Sequence, residues 1–277
     1  MLCNKHIPNN NQSVIRFLGK NFARTKKIRN TILFLSVVIS IAAITMVFGI
    51  PLGKIKAEEI RLIKEKGTAS SGMLIDGSDK QYEKLKKLDY IKQVGKSIFV
   101  GEAESTYENK IESVCEIAWV DRDSWNCFMQ PAYTNIIGYY PQTTEEILLP
   151  TRALKKMGIT KPEQGMKIEL DISIGLFKSR KETFRLCGWF EETSGEQAIG
   201  YVSRNIIDEW NIPKDHYTLL FRQADNWSRE KTEETLYKTL QMKSDDQKIK
   251  VSDTAQHIAV AKLTGGYEMV IVGTISI

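Results

Sequence analysis

The chain has 277 residues, of which 42% are hydrophobic and 26% are charged. This balance is typical of a globular protein and excludes a disordered or fibrous one. The mean hydropathy is −0.28, which excludes a chain made mainly of membrane-spanning helices.

The formal net charge of +5 arises in one short segment. Residues 1–30 hold seven basic residues and no acidic one, whereas the rest of the chain has 32 basic and 34 acidic residues. Basic residues beside an apolar run are typical of a membrane protein, because they stay in the cytoplasm and contact anionic lipid. This distribution favours lipid at the basic N-terminus as a partner and argues against nucleic acid.

Part of the basic segment has helical periodicity. Val14, Ile15, Leu18 and Phe22 fall on one face of a helix, and basic residues occupy the remainder. Such a pattern is typical of an interfacial helix whose apolar face lies at the headgroup boundary. The alternative is a disordered basic tail that only sets the membrane topology.

An uncharged stretch of 22 residues follows, at 31–52. As a helix it extends about 33 Å at about 1.5 Å per residue, enough to cross a hydrocarbon core of about 30 Å. A cleaved signal peptide is the alternative, but its apolar region is shorter, about 7–15 residues. We therefore predict a transmembrane helix at 31–52 that ends near Gly49 and Pro51. The basic flank places residues 1–30 in the cytoplasm and the chain from residue 53 outside the cell membrane.

Residues 53–268 form the predicted extracytoplasmic domain, which begins with a polar, helix-compatible stalk at 53–68. Apolar periodicity predicts both helices and strands in it. The helices are expected at 79–88, 151–157 (with Thr151 as N-cap) and 227–240, and the strands at 91–104, 110–121, 146–149, 166–177, 182–192, 198–203, 217–222 and 248–251. We expect the strands at 166–177 and 182–192 to form a hairpin. This irregular order of elements favours an α+β fold with a mixed sheet.

The sequence ends in an apolar run at 269–277, which is too short to cross a bilayer. It is either a terminal strand or the first turns of a second membrane helix.

We predict no catalytic, cofactor or metal site. The motifs that position nucleophiles, phosphates or dinucleotides do not occur with the spacing their chemistry requires. The four cysteines and three histidines do not have the spacing of zinc ligands. Cys115 and Cys127 are either buried thiols or, in an oxidising compartment, a disulfide.

Three tryptophans differ in their surroundings. Trp119 and Trp189 lie within predicted strands, which favours the core. Trp125 lies in the polar stretch DRDSWN, so of these tryptophans it is the one expected to be exposed, where it could contact a ligand or partner. The alternative for Trp125, as for the others, is packing in the core.

One region carries a family resemblance. Residues 138–170 read GYYPQTTEEILLPTRALKKMGITKPEQGMKIEL, and they resemble the extracytoplasmic core of FtsX/MacB-type ABC transporter permeases. The shared features are the G-x-x-P turn, the E-I-L-L strand, the helix that ends in K-M-G, and the glycine that opens the G-M-K-I-E-L strand. A later step at Gly188 and the segment YEKLKKLDYIKQVG at 82–95 also resemble the family, as does the membrane helix with its basic flank.

The resemblance implies a MacB periplasmic-core-like domain behind one N-terminal membrane helix. It also implies a permease subunit, or the N-terminal part of one, that couples a cytoplasmic ATPase to the outer domain for export or mechanotransmission. Further membrane helices are expected in this family, so we expect a second permease chain or additional helices as partners. The alternative is a single-pass surface sensor or binding protein that acts without an ATPase.

Overall fold

Two helices precede the strands of this protein. The computed structural model describes residues 12–25, 27–107, 110–175, 178–193, 198–214, 216–224, 227–243 and 246–252. The chain divides into two compact units, Met1–Lys54 with Gly265–Ile277, and Ile55–Thr264. The predicted apolar tail at 269–277 lies outside the described residues.

The first helix, α1 (Gln12–Thr25), confirms the predicted helix in the basic segment. The second, α2 (Lys27–Lys66), contains the apolar stretch Lys27–Val47 of 21 residues. The most apolar 18-residue part of this stretch has a mean hydropathy of 2.2, and none of that part is buried. By length and composition this stretch can cross a membrane. Large apolar side chains with no protein around them are what a helix in lipid presents.

Gly49 and Pro51 do not end the helix: α2 continues to Lys66, through the stalk that was predicted to be compatible with a helix. That the membrane-spanning part ends at residue 52 stays a prediction. A proline inside a helix removes one hydrogen bond without requiring the helix to end. The residues after it favour the helix, since Arg61 pairs with Glu58 at 2.6 Å and with Glu65 at 2.5 Å. These pairs lie three and four residues apart, where helical side chains meet.

The second unit contains ten strands and short helices among the described residues. The strands are β1 (Gly72–Gly77), β2 (Ile91–Tyr107), β3 (Lys110–Val120), β4 (Thr134–Gly138), β5 (Glu146–Pro150), β6 (Lys167–Ile174), β7 (Lys178–Glu191), β8 (Ile199–Val202), β9 (Tyr217–Gln223) and β10 (Ile249–Val251). The helices are α3 (Asp79–Lys86), α4 (Arg122–Ser124), α5 (Thr151–Lys156), α6 (Asn205–Glu209) and α7 (Arg229–Leu240), with a π-helix at Trp125–Met129 and a 3₁₀ turn at Gln130–Ala132.

The strands lie in the order β10-β1-β9-β2-β3-β8-β5-β7-β4. The pairs β3–β8 and β5–β7 are parallel, and the other pairs are antiparallel. The predicted α+β fold with a mixed sheet is therefore confirmed. Because β6 pairs with both β2 and β7, six strands close into a ring of pairings: β2, β3, β8, β5, β7 and β6.

The predicted elements recur with small shifts in their bounds, and the predicted hairpin is β6–β7. On β6, alternate residues Ile168, Leu170 and Ile172 are buried, as the period of two requires. The N-cap prediction is wrong: Pro150 caps α5, and the Thr151 hydroxyl donates to the Phe190 carbonyl at 2.9 Å.

Candidate functional site: a helix anchor and an aromatic cleft

The last turns of α2 contact the strands and helices that follow them. Ile63 contacts the smaller of two buried apolar clusters. The helix ends at Gly67, whose φ of +70° favours glycine. Two residues later the Ala69 amide donates to the Phe128 carbonyl of the π-helix at 2.8 Å. The chain leaving α2 is therefore hydrogen-bonded directly to the π-helix.

Arg222 on β9 strengthens this connection. Its Nη2 donates to the Ala69 carbonyl at 3.1 Å and to the Cys127 carbonyl at 3.2 Å. Hydrogen bonds from a charged donor are about twice as strong as neutral ones. We call Ile63, Ala69, Cys127, Phe128 and Arg222 the helix anchor, because together they join α2, the π-helix and β9.

Aromatic rings fill the space beside the anchor. Trp125 opens the π-helix, and its ring centroid lies 5.1 Å from that of Tyr140 and 5.2 Å from that of Tyr201. Tyr133 stacks on Phe190 at 4.1 Å. We call these five residues the aromatic cluster. Tilted and stacked rings at such distances each add about 0.5–1.5 kcal/mol beyond their burial.

The hydroxyls of the aromatic cluster are neutral and paired. Tyr133 and Tyr201 share a hydrogen bond, and Tyr140 donates to the Val120 carbonyl at 3.1 Å while accepting the Val120 amide at 3.0 Å. Burial raises the pKa of all three tyrosines. Tyr140 therefore holds the loop after β4 against the end of β3.

The prediction that Trp125 is exposed is wrong, because it is half-buried in the aromatic cluster. Among its polar sequence neighbours, Arg122, Asp123 and Asn126 are exposed whereas Ser124 is buried. Trp119 and Trp189 are also half-buried, and both pack against the larger apolar core, in line with their prediction.

A cleft of about 580 Å³ opens over Trp125. This volume is in the range of pockets that hold small ligands. Its walls are the end of β3, the start of the π-helix, the loop after β4 and the residues that lead into α6. It is lined by Trp119, Val120, Asp121, Arg122, Trp125, Asn126, Tyr140, Pro141, Gln142, Ser203, Arg204 and Asn205. We call this the aromatic cleft.

Charged groups lie around the aromatic cleft. The Asp121 carboxylate accepts the Ser124 amide at 2.8 Å, and burial raises the pKa of Asp121. The Arg204 guanidinium lies 4.6 Å from the centre of the Trp119 ring. Sequence reasoning did not find these residues, because they come from segments that only the folded sheet brings together.

The motif glutamate, Glu146, organises one wall of the cleft. Its side chain is almost fully buried and accepts the amides of Gln142 at 2.9 Å and Thr143 at 3.2 Å, and the Tyr139 hydroxyl at 2.8 Å. Burial alone would raise the pKa of this carboxyl, but these donors and Arg185 outweigh burial and lower it. The E-I-L-L motif thus carries a carboxylate that fixes the preceding loop.

Replacing Glu146 with glutamine is expected to lower the free energy of unfolding at neutral pH by about 1–2 kcal/mol, since bonds to a charged acceptor are lost. Because the folded-state pKa is lowered, the carboxylate stabilises the protein above the ordinary value of 4.5. That contribution is lost as the pH falls through the folded-state pKa. Urea unfolding at several pH values should show a smaller acid-induced loss for Glu146→Gln. Glu169→Gln, at a glutamate whose side chain is 66% exposed, is the control and should behave like the unchanged protein.

The cysteines give no disulfide among the described residues. Cys115, Cys127 and Cys187 are free thiols, so the alternative of a Cys115–Cys127 bridge is not realised. Burial raises the pKa of Cys115 and of Cys187 to about 12. These two thiols are therefore protonated and unreactive at neutral pH.

Comparison with known proteins gives structural likeness only. No protein-family model matches the chain, and no curated protein matches it. The periplasmic region of MacB from Actinobacillus actinomycetemcomitans is similar at a TM-score of 0.46 and 14% identity, over 69% of this chain and 94% of that one. The extracellular domain of the noncanonic ABC-type transporter YknZ from Gram-positive bacteria is similar at a TM-score of 0.41 and 10% identity. This likeness covers 66% of this chain and 98% of that one.

Proposed function

We propose that this chain is a permease subunit, or the N-terminal part of one, of an FtsX/MacB-like ABC transporter. It couples a cytoplasmic ATPase to an extracytoplasmic domain. One observation carries the proposal: the apolar stretch and the first residues of the sheet unit belong to a single helix, Lys27–Lys66. A continuous helix is stiffer than a flexible linker of the same length, so it can transmit a displacement.

The helix anchor connects the end of α2 to the π-helix and to β9. A shift at the end of α2 acts on the Ala69 amide and carbonyl, and hence on the π-helix and on β9. Trp125, in the same π-helix, lines the aromatic cleft. The proposed coupling therefore runs from the membrane segment to the cleft through hydrogen bonds of the backbone.

The proposed topology places the N-terminus in the cytoplasm and residues 53–277 outside. The basic segment supports it through the positive-inside rule. In α1, Val14, Ile15 and Leu18 are exposed, and they lie opposite Arg16 and Lys20 on the helix. An exposed apolar face opposite cations fits an anionic lipid surface, which we include among the partners.

Single-cysteine variants test the topology in intact cells. Lys181→Cys, at a side chain that is 75% exposed, is expected to react with a membrane-impermeant maleimide. Lys20→Cys, exposed in α1, should react only after the membrane is permeabilised, and this step also serves as its labelling control. The reverse pattern would contradict the proposed orientation.

The coupling is tested by breaking α2 between the apolar stretch and the anchor. The chain, cross-linked in its native membranes, is expected to co-purify with an ATPase that carries a nucleotide-binding loop. Ile60→Pro interrupts the helix and should lower ATP turnover of that complex severalfold. Ile60→Ala, which keeps the helix at the same partly exposed position, should not.

Two results would contradict the proposed function. If no ATPase is cross-linked, the alternative of a surface sensor or binding protein is favoured. If Ile60→Pro leaves ATP turnover unchanged while the sheet unit unfolds at the same temperature, continuity of α2 has no role in coupling.

A further inference from the structure

The lining of the aromatic cleft contains two arginines and one aspartate. Arg122 and Arg204 line it. Outside the lining, the pKa of Asp208 is lowered mainly by Lys214 and to a smaller extent by Arg204. Asp121 is the acidic residue in the lining, and one of its carboxylate oxygens already accepts the Ser124 amide. The cleft can therefore offer an anion two guanidinium groups, each with several donors in a fixed planar arrangement.

A second polar group in the lining is unsatisfied. Ser203 is 2% exposed, and its hydroxyl oxygen is buried without a hydrogen-bond partner. Buried polar atoms are nearly always paired, and each exception calls for an explanation. A ligand that brings an oxygen atom to the residues before α6 would supply the missing partner.

The remaining lining of the cleft combines apolar side chains with three amides, Asn126, Gln142 and Asn205. Trp119 and Trp125 present indole rings, and Tyr140 has its hydroxyl tied to Val120, so its ring acts as a hydrophobic wall. A ligand that fits must therefore combine an apolar or aromatic body with an anionic oxygen. A purely apolar ligand would bring no anion to the arginines, and a purely anionic ligand would leave the aromatic rings uncovered.

We propose that the aromatic cleft binds a small amphiphilic anion. Its carboxylate or phosphate oxygens lie at Arg204 and Arg122, with Ser203 as a further hydrogen-bond partner. Its apolar body lies against Trp125 and Tyr140. This proposal does not depend on an ATPase and goes beyond the proposed transport function, since it assigns a ligand class to the outer domain.

The test uses the full chain in nanodiscs and two probes, N-acetyl-L-phenylalanine and its neutral amide, with tryptophan fluorescence as the readout. The carboxylate probe is expected to bind about tenfold more tightly than the amide, because its bonds to guanidinium are charge-assisted. Arg204→Gln should remove most of the difference between the two probes, with the remainder due to Arg122, and Arg204→Lys should restore part of it. Ser203→Ala should weaken the carboxylate probe severalfold without lowering the unfolding temperature.

Arg180→Gln is the matched control, because Arg180 also stacks on a tryptophan, Trp210 at 5.1 Å, but outside the cleft. It should leave both affinities unchanged. Three results would overturn the proposal. The first is that neither probe binds saturably, and the second is that both probes bind with equal affinity. The third is that Arg180→Gln and Arg204→Gln weaken the carboxylate probe by the same factor.

Discussion

Replacing Phe190 with alanine is expected to lower the free energy of unfolding by about 3–5 kcal/mol, the range for removing a buried aromatic side chain. Phe190 is fully buried at the centre of the aromatic cluster. It stacks on Tyr133 at 4.1 Å and lies 5.9 Å from the ring of Tyr201. The substitution therefore leaves a cavity in the aromatic cluster and removes two ring contacts.

Phe99→Ala is the control, because the same atoms are removed from a side chain that is 52% exposed on β2. Its loss is expected to stay below about 1 kcal/mol. Urea unfolding of both variants, followed by near-ultraviolet circular dichroism, measures the difference. Equal losses at the two positions would show that the aromatic cluster does not stabilise the domain as its packing indicates.

The aromatic cluster illustrates what the sequence could not reveal. Its members lie at positions 125, 133, 140, 190 and 201, with no shared period, and they meet only because β8, β5 and β7 are neighbours in the sheet. Periodicity reports which face of one element is apolar, but it does not report which elements pair. For the same reason the aromatic cleft was not predicted, although several of its residues stand within quoted motifs.

Local patterns did reveal most elements. At the start of helix α3, the side chains of Ser78 and Gln81 each accept a hydrogen bond from the backbone amide of the other. Such a capping box depends only on residues close together in the sequence. The strands β1 and β4 were not predicted. Asp76 and Asn135, one within each of them, have positive φ, so neither strand shows simple alternation. Pro51 was a possible end of the helix by its sequence, but α2 continues to Lys66.

Replacing Gly138 with alanine is the second substitution for which we expect a large effect. It should lower the free energy of unfolding by about 3 kcal/mol or more. Gly138 has a φ of +92°, and an added Cβ would lie 2.1 Å from the Cys187 carbonyl oxygen. The reason is the pairing of β4 with β7, in which Gly138 stands directly opposite Gly188. The loss should therefore combine backbone strain of about 1–2 kcal/mol with overpacking of about 1–3 kcal/mol.

Gly165→Ala separates the two contributions, because Gly165 has a similar φ of +85° but open space around the added Cβ. The stability of this variant should fall only by the backbone strain, about 1–2 kcal/mol. Gly188→Ala tests the contact from the other strand, since its Cβ would lie 2.2 Å from the Ile137 carbonyl oxygen without a positive φ. Thermal unfolding should rank Gly138→Ala as the least stable of the three. If Gly138→Ala and Gly165→Ala lower the stability by the same amount, β4 can move away from β7 without a cost in free energy. The two glycines would then be required only for their positive φ.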